Sequence, residues 1–199
     1  MSSHSLLDQV DCQFLLSGCI VEIGSARGAA GPESSTFYFN KIAVDIGVPF
    51  FFCDFSPESN VLAKSIVSDR AFLSDGKAFL ENFTKITAEK ISLLYLDNFD
   101  IIYSDAHFKS LKLRVGDVYE QRGEVINNQR SAEVHLEQMI AALPLMAENS
   151  VVIVDDTKQT QNGWWGKGAL VVPFLLKDGY KPIVISSDGV MLVSSSFRK

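Results

Sequence analysis

The chain has 199 residues, 47% of them hydrophobic and 21% charged, a balance typical of a single packed globular domain over residues 1–199. This composition excludes disordered and fibrous proteins, and the net charge of −6 argues against a nucleic-acid partner held by a basic surface. The apolar runs are far shorter than the ~20 residues of a membrane span, and the first residues lack the basic region of a signal peptide. We therefore expect a cytoplasmic protein without a membrane partner.

Short apolar runs alternate with longer stretches of helical character along most of the chain. The runs that we predict as strands are 19–23, 50–54, 70–73, 91–96 and 150–154. Continuous apolar runs of this length are typical of strands that are buried on both faces of a parallel sheet. After the fourth run, the helical spacing of apolar residues predicts a helix whose sheet-facing stripe comprises Leu136, Met139, Ile140 and Leu143.

The end of the chain differs, because two apolar runs at 182–185 and 190–193 flank a Ser-Ser-Asp-Gly turn. This pattern predicts an antiparallel hairpin. The predicted fold is therefore α/β: a Rossmann-like, doubly wound sheet of seven strands, mostly parallel, with a C-terminal antiparallel hairpin and helices on both faces.

Ligands of open α/β sheets bind beyond the carboxyl ends of the strands, and four candidate features fall there. Residues 22–28, Glu-Ile-Gly-Ser-Ala-Arg-Gly, follow the first strand, and their glycines allow close approach of the backbone to a ligand; a tight turn without a ligand is the alternative. Asp54 ends the second strand and can accept both hydroxyls of a ribose, or it only caps the helix that begins at Ser56. Residues 74–76, Ser-Asp-Gly, could flank a base, and Asp97 ends the fourth strand.

The order and spacing of these features resemble a class I S-adenosylmethionine-dependent methyltransferase over about residues 15–195, through Glu22-x-Gly24-x-x-x-Gly28, Asp54, Asp75-Gly76, Leu96-Asp97 and the closing hairpin. The resemblance implies that Gly24 and Gly28 pass along the methionine part of the cofactor and that Asp54 holds its ribose. It also implies that Asp75 faces the adenine and that Glu22 supports the glycine loop. The other residues that it implies in cofactor binding are Ser25, Phe55, Ser74, Gly76 and Asp97.

The activity implied by this resemblance is transfer of the methyl group of S-adenosylmethionine to an oxygen nucleophile of a small molecule. Two alternatives stay open: a nicotinamide-dependent oxidoreductase and a module that binds a nucleoside cofactor without turnover. The missing Gly-x-Gly-x-x-Gly motif disfavours the first alternative, and a cluster of acidic residues disfavours the second. The sequence also leaves a homodimer open.

The acidic cluster is expected because Asp97 and the pair Asp155 and Asp156 end strands that should be neighbours. Three carboxylates suit Mg²⁺ or another divalent cation; without one, their repulsion should raise at least one pKa. The layout is similar to that of small metal-dependent O-methyltransferases, in which the cation lowers the pKa of a substrate hydroxyl, and it implies a catalytic role for Asp97. The alternative is that Asp156 and Thr157 cap a turn and that Asp97 alone contacts the cofactor or substrate.

Three further features are candidates for the acceptor side. His135, near the start of a predicted helix, is a candidate catalytic base because imidazole titrates near neutral pH; a histidine bonded to the backbone is the alternative. Residues 98–130 lack clear periodicity and contain several aromatic side chains, so we expect a lid insertion over the acceptor pocket. Trp164 and Trp165 lie between glycines and are candidates for a second wall, unless one ring is simply buried.

Overall fold

The structure is a computed structural model in which residues 6–8, 12–24 and 34–196 are described. The strands in these residues are β1 (Cys19–Ile23), β2 (Phe50–Asp54), β3 (Ala71–Leu73), β4 (Ile91–Leu96), β5 (Met146–Asp155), β6 (Thr157–Thr160), β7 (Gly163–Gly166), β8 (Lys181–Ile185) and β9 (Gly189–Val193). Seven of them form one sheet in the order β3-β2-β1-β4-β5-β9-β8, and β6 and β7 form a separate antiparallel ribbon. Strands β1 to β5 are parallel, whereas β9 is antiparallel to both of its neighbours. The predicted sheet and its closing hairpin are confirmed.

The helices in the described residues are α1 (Ser35–Ile46), α2 (Pro57–Val67), α3 (Gly76–Glu81), α4 (Asp105–Gln121), α5 (Asn128–Ala142) and α6 (Gly168–Lys177). Helices α1 and α2 pack on one face of the sheet, and α3, α5 and α6 pack on the other. No described helix combines the length and the apolar composition that a membrane span requires.

Two apolar layers hold the helices to the sheet, because successive side chains of a strand point to opposite faces. Ile20 and Tyr95 belong to the layer beneath α1 and α2, where the ring of Phe39 lies 5.0 Å from that of Tyr95. Val21 follows Ile20 in the sequence, and Leu94 precedes Tyr95. Both belong to the other layer, beneath α3, α5 and α6. All four strand residues are buried, which explains why their strands are apolar without alternation.

The stripe predicted for α5 is partly wrong. Met139 is buried as expected, but 53% of the surface of Ile140 is exposed. The buried face of α5 also includes the polar residues Ser131, His135 and Gln138. A stripe assigned from apolar residues alone is therefore misplaced, because polar side chains occupy part of the sheet-facing surface near the carboxyl edge.

The segment 98–130 is largely helical rather than irregular, since it contains α4 and the start of α5. Its helical pattern is weak in the sequence because α4 buries only three residues, among them Leu111 and Tyr119. These two pack with Phe99 and Ile126 in a small apolar cluster of their own. Opening of this segment as a lid remains a prediction.

Candidate active site

The connection after β1 lies directly against the connection after β4. Gly24 has a φ of 91°, and a Cβ atom added to it would lie 2.4 Å from the backbone nitrogen of Asn98. A residue with a side chain would therefore be strained here both by its backbone conformation and by contact. The turn at Gly24 lies close to the backbone of Asn98, its approach to a ligand stays a prediction, and Ser25 and Gly28 lie outside the described residues.

Glu22 joins the end of β1 to the start of α1. Its side chain is completely buried, and the hydroxyl of Ser35, the first residue of α1, donates a hydrogen bond to Oε1 of Glu22. Burial raises the pKa of Glu22 to about 8; the Ser35 hydrogen bond opposes this effect, and the negative charges of Asp97 and Asp54 add to it. These contacts join the end of β1 to the start of α1, and the support of the glycine loop that the resemblance implies for Glu22 stays a prediction.

Asp54 lies at the end of β2, with only 1% of its surface exposed. Its Oδ1 accepts a hydrogen bond from the backbone N–H of Ser56 at 2.7 Å, and the Ser56 hydroxyl caps α2. Asp54 therefore makes a hydrogen bond at the start of α2, as expected if its role is to cap that helix. A ribose would reach this carboxylate only after the groups that cover it move, and the role of Asp54 in ribose binding stays a prediction.

Asp75 and Phe55 share one partner, Arg122, which the sequence analysis did not identify. Asp75 caps α3 through Oδ1, and its Oδ2 lies 3.0 Å from Nη2 of Arg122. The guanidinium carbon of Arg122 lies 4.6 Å from the ring centroid of Phe55. The turn between α4 and α5 thus covers Asp75, which was expected beside the adenine, and Phe55, which was expected elsewhere in the cofactor site.

Gly76 brings the start of α3 against β1 and α5. A Cβ atom at Gly76 would lie 2.5 Å from the side chain of Ile23 and 2.7 Å from Nε2 of Gln138. Ser74, two residues earlier, donates its hydroxyl to the backbone carbonyl of Asp75. The start of α3, just after β3, therefore lies close to the end of β1. The hydroxyl of Ser74 already has a hydrogen-bond acceptor in the next residue.

Asp97, Asp155 and Asp156 meet at the carboxyl edge, as their positions in the sequence indicate. Each offers a carboxylate oxygen, and these oxygens lie within 4.8 Å of one another. They converge because β4 and β5 are adjacent and parallel, with Leu96 paired to Val154 at the end of both strands.

A lysine that the sequence analysis did not identify lies within this cluster. Nζ of Lys167 contacts Oδ1 of Asp97 and lies 2.9 Å from Oδ2 of Asp156. Only 4% of the Lys167 side chain is exposed, whereas 14% of Asp97 and 26% of Asp156 remain accessible. Lys167 precedes α6 and is 70 residues from Asp97 in the sequence, so no local pattern indicates the pairing.

The cluster relieves its repulsion in two ways. Burial and the neighbouring Asp97 raise the pKa of Asp155 well above its usual range, which favours a protonated Asp155 hydrogen-bonded to Asp97. Burial alone would lower the pKa of Lys167, but the charges of Asp97, Asp156 and Asp155 outweigh it and raise that pKa. Lys167 therefore carries a positive charge, which offsets one of the two negative charges of Asp97 and Asp156.

The segment 98–130 reaches the acidic cluster through Tyr103. Its hydroxyl donates a hydrogen bond to Oδ1 of Asp156, and its ring centroid lies 5.6 Å from that of Trp165. Burial and the hydrogen bond to Asp156 raise the pKa of Tyr103, so the phenol keeps its proton. Trp165 thus stands beside the site as the wall hypothesis predicts, while Trp164 packs partly against the main core, which is the alternative expected for one ring.

His135 is completely buried on α5. Its Nδ1 lies 2.6 Å from the backbone carbonyl of Ser131, so Nδ1 is the protonated nitrogen. Burial, and then the charge of Lys167, lower the pKa of His135 to about 4, so the ring is neutral at physiological pH. The backbone contact of the alternative interpretation is present, and the role of His135 as a base stays a prediction.

Several buried polar atoms near this edge have no hydrogen-bond partner among the described residues. They include Oε2 of Glu22, Nδ2 of Asn98, Nε2 of His135 and both amide atoms of Gln138. Buried polar groups are normally hydrogen-bonded, so this group is prepared for a polar ligand or for water. The sequence signal that identifies Gln138 is a polar residue on the sheet-facing side of a helix.

A cavity of about 830 Å³ opens beside the end of β2, between the first turns of α2 and the C-terminal half of α4. The residues that line it include Phe55, Glu58, Leu62, Arg114, Val118 and Tyr119. Its volume is in the range of pockets that bind small molecules.

Comparison with known proteins gives matches among solved structures. No protein-family model and no curated protein matches the sequence. A candidate rRNA methylase from Clostridium thermocellum is 11% identical, with a TM-score of 0.52 over 96% of this chain and 93% of the other. The O-methyltransferase from Bacillus cereus in complex with SAH is 13% identical, with a TM-score of 0.52 over 96% of this chain and 79% of the other. Cofactor-bound Rv0187 from MTB is 14% identical, with a TM-score of 0.50 over 95% and 82% of the two chains. At these identities the likeness shows the fold.

Proposed function

Because the chain has the fold of the class I S-adenosylmethionine-dependent methyltransferases, as the sequence predicts, we propose that it transfers a methyl group from S-adenosylmethionine to an oxygen nucleophile of a small molecule. The observation that carries the proposal is the arrangement at one edge of the sheet. There the ends of β1 to β4 present Gly24, Asp54, Asp75 and Asp97. An open α/β sheet binds its ligand at this edge.

The residues at this edge fit the cofactor. Gly24 provides a backbone turn without a side chain, and the neighbouring Asn98 has a buried amide nitrogen without a partner among the described residues. Such a donor suits an acceptor group of the cofactor's amino-acid part. Asp54 and Asp75 offer carboxylate oxygens, which suit the hydroxyl and amino groups of a nucleoside. When bound, the cofactor supplies a methyl group that is open to attack by a nucleophile.

For this reaction the protein has to align the acceptor hydroxyl with the methyl group and to remove the proton of that hydroxyl. The cofactor would supply the methyl group, and the residues at this edge would orient the acceptor hydroxyl and receive its proton. Asp97 and Asp156 are partly exposed, so their carboxylates can accept an additional hydrogen bond from the acceptor hydroxyl and orient it. His135 has no exposed surface, so a role as base requires an intervening group or a local opening.

The choice of a small molecule as the acceptor rests on the charge of the protein and of the site. The net charge of −6 and the acidic cluster favour a small hydroxyl compound over a polyanion. One solved structure with this fold is a candidate rRNA methylase, so RNA is the competing acceptor. Transfer of a labelled methyl group to total RNA, but not to a panel of phenols, catechols and sugars, would overturn the acceptor class and leave the cofactor assignment intact.

Cofactor binding is tested by calorimetry with S-adenosylmethionine, S-adenosylhomocysteine and NAD⁺. We expect both sulfur nucleosides to bind and NAD⁺ not to bind; the reverse would favour the oxidoreductase. Asp54→Ala should weaken binding by about 10- to 100-fold, the effect of losing hydrogen bonds worth about 1.5–3 kcal/mol. The control is Asp69→Ala, an exposed acid near the far end of α2, which should bind as the unmodified protein does. Binding of the cofactor with no transfer to any acceptor would favour the non-catalytic module.

A further inference from the structure

The positive charge at the centre of the acidic cluster belongs to the chain itself. The ammonium group of Lys167 lies beside three oxygens: Oδ1 of Asp97, Oδ2 of Asp156 at 2.9 Å and the backbone carbonyl oxygen of Asp97 at 3.4 Å. An ammonium group has three protons, so these oxygens account for all of its donor capacity. Lys167 is also buried, which distinguishes this contact from an exposed ion pair of little energetic value.

The backbone holds Lys167 in this place. Its N–H donates to the carbonyl of Asp156 at 3.2 Å, and the N–H of Gly168 donates to the hydroxyl of Thr157 at 2.8 Å. A Cβ atom at Gly166 would lie 1.8 Å from the same Asp156 carbonyl, so a glycine is required at that contact. Asp156 itself has a φ of 45°, a conformation that few residues other than glycine adopt. The residues at the start of β6 and those after the end of β7 are therefore joined by hydrogen bonds and close contacts on both sides of Lys167.

A divalent cation does not fit this arrangement while Lys167 is in place. Mg²⁺ requires six oxygens at about 2.0–2.1 Å, and the ammonium group already contacts two of the three acids that would supply them, Asp97 and Asp156. A metal ion on Asp97 and Asp156 would stand next to Nζ of Lys167, with two positive charges in contact inside a largely buried site. The three acids considered alone favour a metal ion. In the structure, the ammonium group of Lys167 supplies the positive charge among them instead.

We propose that Lys167 is the resident cation of this site, in the position that a divalent metal ion would otherwise take. It acts as a positioning residue: it offsets one of the two negative charges of Asp97 and Asp156 and holds both side chains in place. The oxygens that remain accessible on those two acids then orient the acceptor hydroxyl without a metal. This last role rests on the proposed methyl transfer, whereas the exclusion of divalent cations does not.

The test is a titration with Mn²⁺, followed by calorimetry and by its paramagnetic resonance signal, in the absence of cofactor. We expect the intact protein to show no stoichiometric Mn²⁺ site below about millimolar concentration. Lys167→Met removes the charge but keeps a similar side-chain length, and it should gain one Mn²⁺ site at least about tenfold tighter. Mg²⁺ should correspondingly raise the melting temperature of this variant but not that of the intact protein. A matched control is Lys158→Met, an exposed lysine on β6, which should gain no site.

A double variant assigns the gained site to the cluster. Lys167→Met combined with Asp156→Asn should lose the Mn²⁺ site that Lys167→Met gains. A stoichiometric Mn²⁺ site in the intact protein that Asp156→Asn removes would overturn the proposal, and so would a folded Lys167→Met protein that gains no site. The titration of the intact protein needs no variant to fold. Cofactor binding, measured separately, decides the proposed function whatever the Mn²⁺ result is.

Discussion

Arg122 lies over the ring of Phe55, with its guanidinium carbon 4.6 Å from the ring centroid. The same guanidinium group is paired with Asp75 at 3.0 Å, so one residue from the α4–α5 turn covers two side chains that were expected in cofactor binding. The ion pair is partly exposed, with 32% of the Arg122 side chain and 44% of the Asp75 side chain accessible. Such a pair contributes about 0–1 kcal/mol, so it can open at low cost.

Removal of Arg122 should therefore speed the entry of the cofactor. We expect Arg122→Ala to raise the association rate of S-adenosylhomocysteine several-fold in stopped-flow measurements, with little change in melting temperature. Lys109→Ala, at an exposed position of α4, is the control and should leave the rate unchanged. A slower association or a weaker complex would instead show that Arg122 contacts the bound cofactor.

Glu22 should make the protein less stable as the pH rises. Burial raises its pKa to about 8 from an ordinary 4.5, so the folded state binds a proton that the unfolded state releases between these values. The free energy of unfolding therefore falls with increasing pH in this window, by at most about 1.4 kcal/mol per pH unit from this group. Urea unfolding at pH 5.5, 6.5 and 7.5 should show a shallower fall for Glu22→Gln.

The control for Glu22 is Glu89→Gln, which removes an exposed acid and should keep the pH dependence of the intact protein. The raised pKa of Asp155 acts in the same direction and is present in every variant, so the comparison uses differences between curves. Parallel curves for Glu22→Gln and the intact protein would contradict the assignment.

His135 should stay neutral far below the pH at which histidine usually titrates. Burial lowers its pKa to about 4, and its unfolded value is near 6.5. Stability from this group is present above pH 6.5 and is lost as the pH falls toward 4, because the unfolded state then takes up the proton first. The chain has 3 histidines, so NMR titration should resolve one ring with a midpoint near 4, and that signal should be missing in His135→Gln. A midpoint near 6.5 for that ring would favour a ring open to solvent and to an acceptor.

The segment 98–130 should be cut first in limited proteolysis. Residues 122–127 between α4 and α5 lack helical structure, and Val125 is 68% exposed. The segment is anchored by Tyr119, whose hydroxyl accepts from the N–H of Asp100 and donates to its carboxylate. Cofactor and acceptor together should slow the cleavage, and Tyr119→Phe should speed it because both hydrogen bonds are lost. Equal cleavage with and without ligands would identify a fixed insertion instead of a lid.

The sheet and the meeting of three acids could be predicted because both depend on short-range information. A run such as residues 91–96 shows its burial by composition, and its last residue marks the edge that all parallel strands share. The meeting of Asp97 and Asp155 could therefore be predicted, because each stands at the end of a strand that is recognisable in the sequence. The length of β5 was underestimated, since its first residues, from Met146, include polar side chains.

The contacts of Lys167 with Asp97 and of Arg122 with Asp75 could not be predicted, because each joins positions far apart in the chain. Arg122 is 47 residues from Asp75, and it follows a helix whose exposed surface hides its periodicity. Lys167 stands between two glycines beside a tryptophan pair, and only the register of β6 against β7 shows that the chain returns to Asp156. In both cases a charged side chain meets its partner through a turn whose geometry no periodic pattern describes.

The ribbon of β6 and β7 also bears on the order in which the site can assemble. Asp156 and Lys167 close a loop of only about a dozen residues, so their contact costs little chain entropy and can form as soon as the ribbon does. Asp97 joins later, since it depends on the pairing of β4 with β5 across more than fifty residues. If the contacts form in this order, Asp97 meets an Asp156 that Lys167 already pairs, so its burial adds one unbalanced negative charge rather than two.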